Sequence, residues 1–174
     1  LPIQITKNMA TFILNKKLES TMDYPVGIHI RNNREHISAM IESIESIKEF
    51  EGKFINLICR GSSGAIIAGI ISVMLKNENR IIHIKKEGEI SHNCNIPTLG
   101  NDKINIIVDD LICTGKTVNK IYQALTEELS NINLVIDCLC ISGTYTDKHV
   151  NFNCKYIICG EVVKMNKNNP PFNW

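Results

Sequence analysis

No apolar run in this chain approaches the roughly 20 residues that a membrane-spanning helix needs. No basic–apolar–small pattern opens it, so a secretory leader is not expected. Nor is there an excess of charge: 19 Lys and Arg face 18 Asp and Glu, for a formal net charge of +1. Without a basic face, nucleic acid and anionic membranes are not expected as main partners. Any phosphate chemistry has to come from a local arrangement of groups. The seven cysteines contain no CxxC pair, and their number is odd. Cys59, Cys138, Cys140 and Cys159 sit in apolar runs, where a thiol packs as a small hydrophobe. Reduced thiols in a cytoplasmic setting are expected, with no spacing that supports structural zinc. Repeats and linkers are absent, so the 174 residues read as one domain.

What is present is an alternation of strands and helices. Ile37, Met40, Ile41, Ile44 and Ile47 fall at steps of 3, 1, 3 and 3, one face of a helix that Gly52 stops. Residues 54–59 (FINLIC) form a continuous apolar run, as a strand buried on both faces would. Residues 65–75 fit a buried helix, 80–85 a strand, 86–103 a long polar loop and 104–110 another buried strand. A helix then runs from TGKT to about Ser130, followed by strands at 132–141 and 155–160. Before residue 34 the pattern is irregular. NMATFILNKKL fits a short helix or a short strand, YPVGIHI a turn and a short strand, and the tail NKNNPPFNW no regular structure. Strands alternating with helices imply a mainly parallel sheet covered on both faces. Ligands of such sheets sit beyond the carboxyl ends of the strands, at a topological switch point.

Two loops follow strands in this way, RGSSG at 60–64 and DDLICTGKT at 109–117. The second is not a P-loop. Gly115-Lys116-Thr117 would need a glycine at 110, and that position is Asp110, whose carboxylate would repel phosphate. Asp109 and Asp110 instead suit hydrogen bonds from vicinal hydroxyls, such as those of a ribose, or a neighbouring divalent cation. Cys113, Thr114, Gly115, Lys116 and Thr117 turn into a helix, where backbone N–H groups and two hydroxyls can wrap a phosphate monoester. A strand ending in two solvated carboxylates, with Thr114 as an N-cap, is the plainer alternative. It leaves the pairing of diol clamp and phosphate cradle unexplained.

The segment IIVDDLICTGKT, residues 106–117, resembles at every position the 5-phosphoribosyl 1-diphosphate (PRPP) motif of the type I phosphoribosyltransferases (PRTases). The resemblance covers roughly residues 35–142. It implies a central, mainly parallel sheet flanked by helices, with a small variable hood from 1–33 and 143–174. It also implies a Mg²⁺-dependent transfer of ribose 5-phosphate from PRPP to a nucleobase, and a homodimer. In that family the loop after the first sheet strand holds pyrophosphate, which here assigns Arg60, Gly61, Ser62, Ser63 and Gly64. Lys85 and Lys86 stand where family members carry a basic pair facing pyrophosphate, and the loop beyond resembles the family's lid. Asp109 lies 23 positions after Lys86, a spacing similar to the short lid of orotate enzymes. Glu89 stands near their lid lysine, and His92 falls about one residue late for their histidine. Asp109, Asp110, Lys86 and His92 are thus the catalytic candidates, with Mg²⁺ near the two aspartates through PRPP or water. Cys113 replaces the Asp typical of hypoxanthine–guanine members. The lid spacing leans toward orotate, with a purine as the other choice. A PRPP- or nucleotide-sensing protein of the same fold is the alternative to an enzyme.

Overall fold

The computed structural model of the chain describes residues 3–5, 10–18, 34–86, 99–109, 115–128, 134–146 and 150–163. Strands β1 (Ile3–Ile5) and β2 (Thr11–Leu14) precede helix α1 (Arg34–Glu45). Then come β3 (Ile55–Arg60), α2 (Ser62–Met74), β4 (Asn79–Ile84), β5 (Ile104–Asp109) and α3 (Lys116–Glu128). β6 (Ile136–Ile141), β7 (Thr144–Thr146), β8 (Cys154–Cys159) and β9 (Glu161–Val163) complete the order.

Seven strands form one sheet, in the order β1-β2-β8-β6-β5-β3-β4. Every neighbouring pair is parallel except β1 with β2. This is the type I PRTase fold. Alternate residues of β3 and β5 feed opposite layers. Leu57 and Ile106 join Met40, Ile44, Ile67 and Ile71 under α1 and α2. Ile58 and Ile107 join Val118, Ile121 and Leu125 under α3. Burial on both faces explains the unbroken apolar runs of these strands.

Most boundaries follow the sequence pattern, with three differences. The Gly52 stop is preceded by a 3₁₀ turn, Lys48–Phe50, so α1 ends at Glu45. α2 begins at Ser62, three residues before its apolar run, because Gly61 takes φ 81° and hands the chain directly from strand to helix. β6 begins at Ile136. The sheet also reaches beyond residues 35–142. β2 and β8, from stretches assigned to the hood, pair with each other as inner strands, Phe12 opposite Ile157. The TFIL segment, open between helix and strand in the sequence, is thus strand. YPVGIHI and the C-terminal tail lie outside the described residues.

A polar row crosses the sheet near the amino ends of its strands. Arg80 Nε of β4 donates to Asn56 Oδ1 of β3 at 2.7 Å, and Asn56 Nδ2 donates to Asn105 Oδ1 of β5 at 2.8 Å. The Asn105 N–H donates to Asp137 Oδ2 of β6 at 2.8 Å, and Lys155 Nζ of β8 lies 3.5 Å from Asp137 Oδ1. Asn56 and Asn105 are fully buried, so a one-residue slip would strand their amides against the opposite core. The row therefore fixes the strand levels that bring the carboxyl ends together.

β3 connects through α2 to β4 on one side, while β5 connects through α3 to β6 on the other. The chain thus reverses its direction across the sheet between β3 and β5. Their carboxyl ends mark the switch point, and both candidate loops leave from there.

Candidate active site

Gly61 is the residue between β3 and α2, with φ 81° and ψ 170°. The helical ladder begins with Ala65 N–H donating to the Gly61 carbonyl at 3.1 Å. The N–H groups of Ser62, Ser63 and Gly64 therefore stand outside that ladder, at the positive end of the helix dipole. A Cβ placed on Gly61 would lie 3.2 Å from Lys86 Cε and 3.3 Å from Lys86 Nζ. The Lys86 ammonium is therefore laid over the turn that opens α2. The register of β3 with β4, Arg60 beside Ile84, brings these two segments level.

Gly64 touches the next strand. A Cβ on it would sit 3.1 Å from the Val108 carbonyl oxygen, 3.4 Å from Cys59 Cβ and 4.0 Å from Asp109 Oδ1. The first turn of α2 is thereby seated against the end of β5, and the Asp109 carboxylate lies beside it, buried. Val108 is held in a central strand and cannot easily give way. Gly64→Val is expected to lower stability by about 2 kcal/mol through overpacking, and to push the Asp109 carboxylate off its position. Thermal unfolding checks the first effect, with a fall in Tm of about 5 °C. A variant with native Tm would show that this contact relaxes at no cost.

Gly115 opens α3 with φ 73°, and its carbonyl accepts from the Asn119 N–H at 2.9 Å. Lys116 is exposed and Thr117 half-buried at the first turn, while Val118 anchors the helix in the core beside Ile58 and Ile107. Asp110, Cys113, Thr114 and His92 lie outside the described residues. Arg60 and Lys85 are half-buried at the carboxyl ends of β3 and β4. The structure therefore brings together Gly61, Gly64, Lys86 and Asp109, with the amino end of α3 following β5.

Ser142, just past the end of β6, belongs to the same corner, although no motif marks it. Its N–H donates to the Asp109 carbonyl at 3.2 Å, which ties the end of β6 to the end of β5. Ser142 is fully buried, and the adjacent Gly143 accepts from the Gly160 N–H at 2.9 Å. The small pair Ser142-Gly143 at a strand end was the available signal.

Burial governs the thiols. Cys59 is pushed up to about 12, first by burial and then by the neighbouring Asp109 carboxylate. Cys154 and Cys159 are also pushed up to about 12, mainly by burial. Cys138 and Cys140, in the middle of the sheet, are raised as well, again chiefly by burial. A thiol that keeps its proton is a poor nucleophile and a poor metal ligand. Among the described residues no three His, Cys, Asp or Glu converge as a metal cage. A hydrated ion held mainly by a bound phosphate compound fits Asp109, the buried carboxylate at this corner of the sheet.

Among the described residues no helix is long and apolar enough to cross a membrane. The family model described as PRTase-CE matches residues 4–173. No curated protein matches. Solved structures with a similar fold include a hypoxanthine-guanine phosphoribosyltransferase (hpt-2) from Bacillus anthracis str. 'Ames Ancestor'. It has 19% identity and a TM-score of 0.53, with 76% of this chain and 78% of that chain covered. An orotate phosphoribosyltransferase from Aeropyrum pernix has 9% identity and a TM-score of 0.53, with 92% and 85% covered.

Proposed function

Because the chain belongs to the PRTase-CE family, we propose that it is a phosphoribosyltransferase moving ribose 5-phosphate from PRPP to a nitrogenous base. The products are a nucleoside 5′-monophosphate and pyrophosphate. The observation that carries this reading is the meeting of the Gly61–Gly64 turn, the Lys86 ammonium and the Asp109 carboxylate at the switch point. One loop there offers N–H groups and cations to an anion, and a carboxylate faces the same corner.

In this reading Arg60, Lys85, Lys86 and the N–H groups of 61–64 take the pyrophosphate of PRPP. Residues 113–117 take its 5-phosphate at the amino end of α3, where the dipole favours an anion. Asp109 and Asp110 accept hydrogen bonds from the ribose hydroxyls. When the C1′–O bond of PRPP loosens, positive charge grows on the ribose and negative charge on the leaving pyrophosphate. The aspartates favour the first, and Lys86 the second. A ring nitrogen of the base attacks C1′, forming the new glycosidic C–N bond as the C1′–O bond breaks and pyrophosphate departs with the electron pair, and the ring N–H proton passes to pyrophosphate or water. Placement and electrostatics do this work, and no covalent nucleophile is required. Mg²⁺ entering with PRPP would add positive charge on the leaving group, with Asp109 and Asp110 as partners through water or ribose hydroxyls. His92 would belong to a lid that keeps water from the reacting centre. Those parts of 1–33 and 143–174 outside the main sheet would cover the base. The active species is a homodimer, and the base is orotate or a purine, with lid spacing leaning toward orotate.

Lys86→Ala is expected to lower the rate of pyrophosphate release by roughly 10²-fold, as for other lost charge-stabilising donors. A variant that turns over normally would remove Lys86 from the site. The reading as a whole is tested by pyrophosphate release from Mg²⁺–PRPP with orotate, uracil, adenine, hypoxanthine, guanine and xanthine. Release with one base establishes the transferase and names its acceptor. Saturable PRPP binding without release from any base would instead indicate a sensor.

A further inference from the structure

The position of helix α3 along its own axis decides where its amino end lies, and that end would take the 5-phosphate. The buried stripe of α3 is apolar. Val118, Ile121 and Leu125 sink into the layer that also holds Ile58 and Ile107. Such contacts are non-directional. They hold the helix against the sheet without selecting one height along it.

Directional contacts come from the segment between β7 and β8. The Asn151 N–H donates to Asn119 Oδ1, in the first turn of α3, at 2.9 Å. The same Asn119 donates its own N–H to the Gly115 carbonyl that opens the helix. Asn is an indifferent helix former, so propensity does not account for it there, whereas an acceptor for Asn151 does. Tyr122, three residues on and on the same face, stacks on Phe152 with ring centroids 4.6 Å apart and planes 13° from parallel. Val150 and Phe152 also pack against the core layer beneath α3. Residues 150–152 thus run beside α3, in the direction of the helix, and join it at two points.

The structure on either side of this segment is anchored. Before it, Tyr145 of β7 meets Phe12 of β2 edge-on, with ring centroids 5.3 Å apart. After it, Cys154 opens β8 and pairs with Ile136 of β6. β7 and β9 form a small sheet of their own, Tyr145 beside Val162, following the carboxyl ends of β6 and β8. In the transferase reading, α3 would hold the 5-phosphate and this small sheet would border the base, with C1′ between them.

We infer that residues 150–152 are a strap that fixes α3 along its axis, with Asn119 and Phe152 as positioning residues for the transfer. The inference rests on the transferase reading. Neither side chain touches PRPP or the base in this role. The strap sets the separation between the amino end of α3 and the base, and so aligns C1′ with the attacking nitrogen. A displacement of about 1 Å at a reacting centre costs up to about 100-fold in rate.

The test is steady-state pyrophosphate release by the full chain carrying Asn119→Ala, Phe152→Leu or Asn151→Ala, with the base that the native chain accepts. Calorimetric titration with Mg²⁺–PRPP runs beside it, and all assays are made well below the Tm of each variant. Asn119→Ala removes the acceptor, and Phe152→Leu removes the ring but keeps an apolar side chain. Both should lower kcat by roughly 10- to 100-fold while the Kd for PRPP stays within about twofold, because the phosphate follows its helix. Asn151→Ala keeps the donor N–H and should match the native chain in both measurements. Native kcat in Asn119→Ala and Phe152→Leu would overturn the strap and leave the transferase standing. A Kd that weakens in step with the rate would make these residues part of the PRPP site and overturn the positioning role. A loss in Asn151→Ala equal to that in Asn119→Ala would overturn the hydrogen bond as its cause. A native chain that releases no pyrophosphate with any base would overturn the transferase reading, and the strap's role with it.

Discussion

Asp109→Asn is expected to weaken PRPP binding by about 10- to 100-fold, the scale of one or two charge-assisted hydrogen bonds. The substitution keeps the shape of the side chain and removes its charge. Because Asp109 is buried against the first turn of α2, a larger change would confound site and fold. Pyrophosphate release should fall by more than binding does, since the carboxylate also opposes the positive charge that grows on the ribose. The variant carries its own control. Asp109 helps to hold the Cys59 thiol high, so its neutralisation should let Cys59 ionise at lower pH, while burial still keeps it well raised. Calorimetric titration with Mg²⁺–PRPP reads the affinity. Unchanged affinity together with a shifted Cys59 would mean that the carboxylate is where it is described but plays no part in binding.

The native chain should lose its fold steeply between pH 9 and 10.5. Cys59, Cys138, Cys140, Cys154 and Cys159 are buried thiols, raised from an ordinary value of 9.0. The unfolded chain releases these protons near pH 9, while the folded chain still holds them, for Cys59, Cys154 and Cys159 up to about 12. Between those limits the folded state binds more protons, so stability falls as pH rises. Each thiol contributes about 1.4 kcal/mol per pH unit, and all five together about 7 kcal/mol at pH 10. That is comparable with the whole stability of an ordinary domain, about 5–15 kcal/mol. Urea unfolding under reducing conditions, from pH 7 to 10.5, should show a falling midpoint. A flat profile would mean that water reaches these thiols in the folded state.

The alternation of β3 to β6 with α2 and α3 was legible because each run is long and apolar and ends in punctuation, Gly61 in one case and Gly115 in another. Two polar residues, Ser62 and Ser63, hid the true start of α2, since the helix begins at a backbone turn rather than with its apolar stripe. Thr11–Leu14 has four residues and no alternation, and its place inside the sheet is decided by β8, far along the chain. The parts of the site were also visible singly. Gly61 and Lys86 stood out as candidates, but their closeness follows from parallel pairing of β3 with β4, which no local pattern encodes. Ser142 acts through its N–H, a group every residue but proline has, so its type could not announce it.

The pairing of β2 with β8 also orders events in time. During synthesis β4, β5 and β6 can join the sheet as soon as each emerges, since each is adjacent to a strand already made. β2 emerges before all of them, yet its inner neighbour β8 is the last long strand to appear. Phe12 and Ile13, fully at home in the finished core, must wait without their partners Ile157 and Ile158 while some 140 residues are translated. At about 5–20 residues per second that wait lasts on the order of ten seconds. The newborn chain is therefore open to chaperones, and to pairing with a wrong strand, at β2 until β8 has emerged.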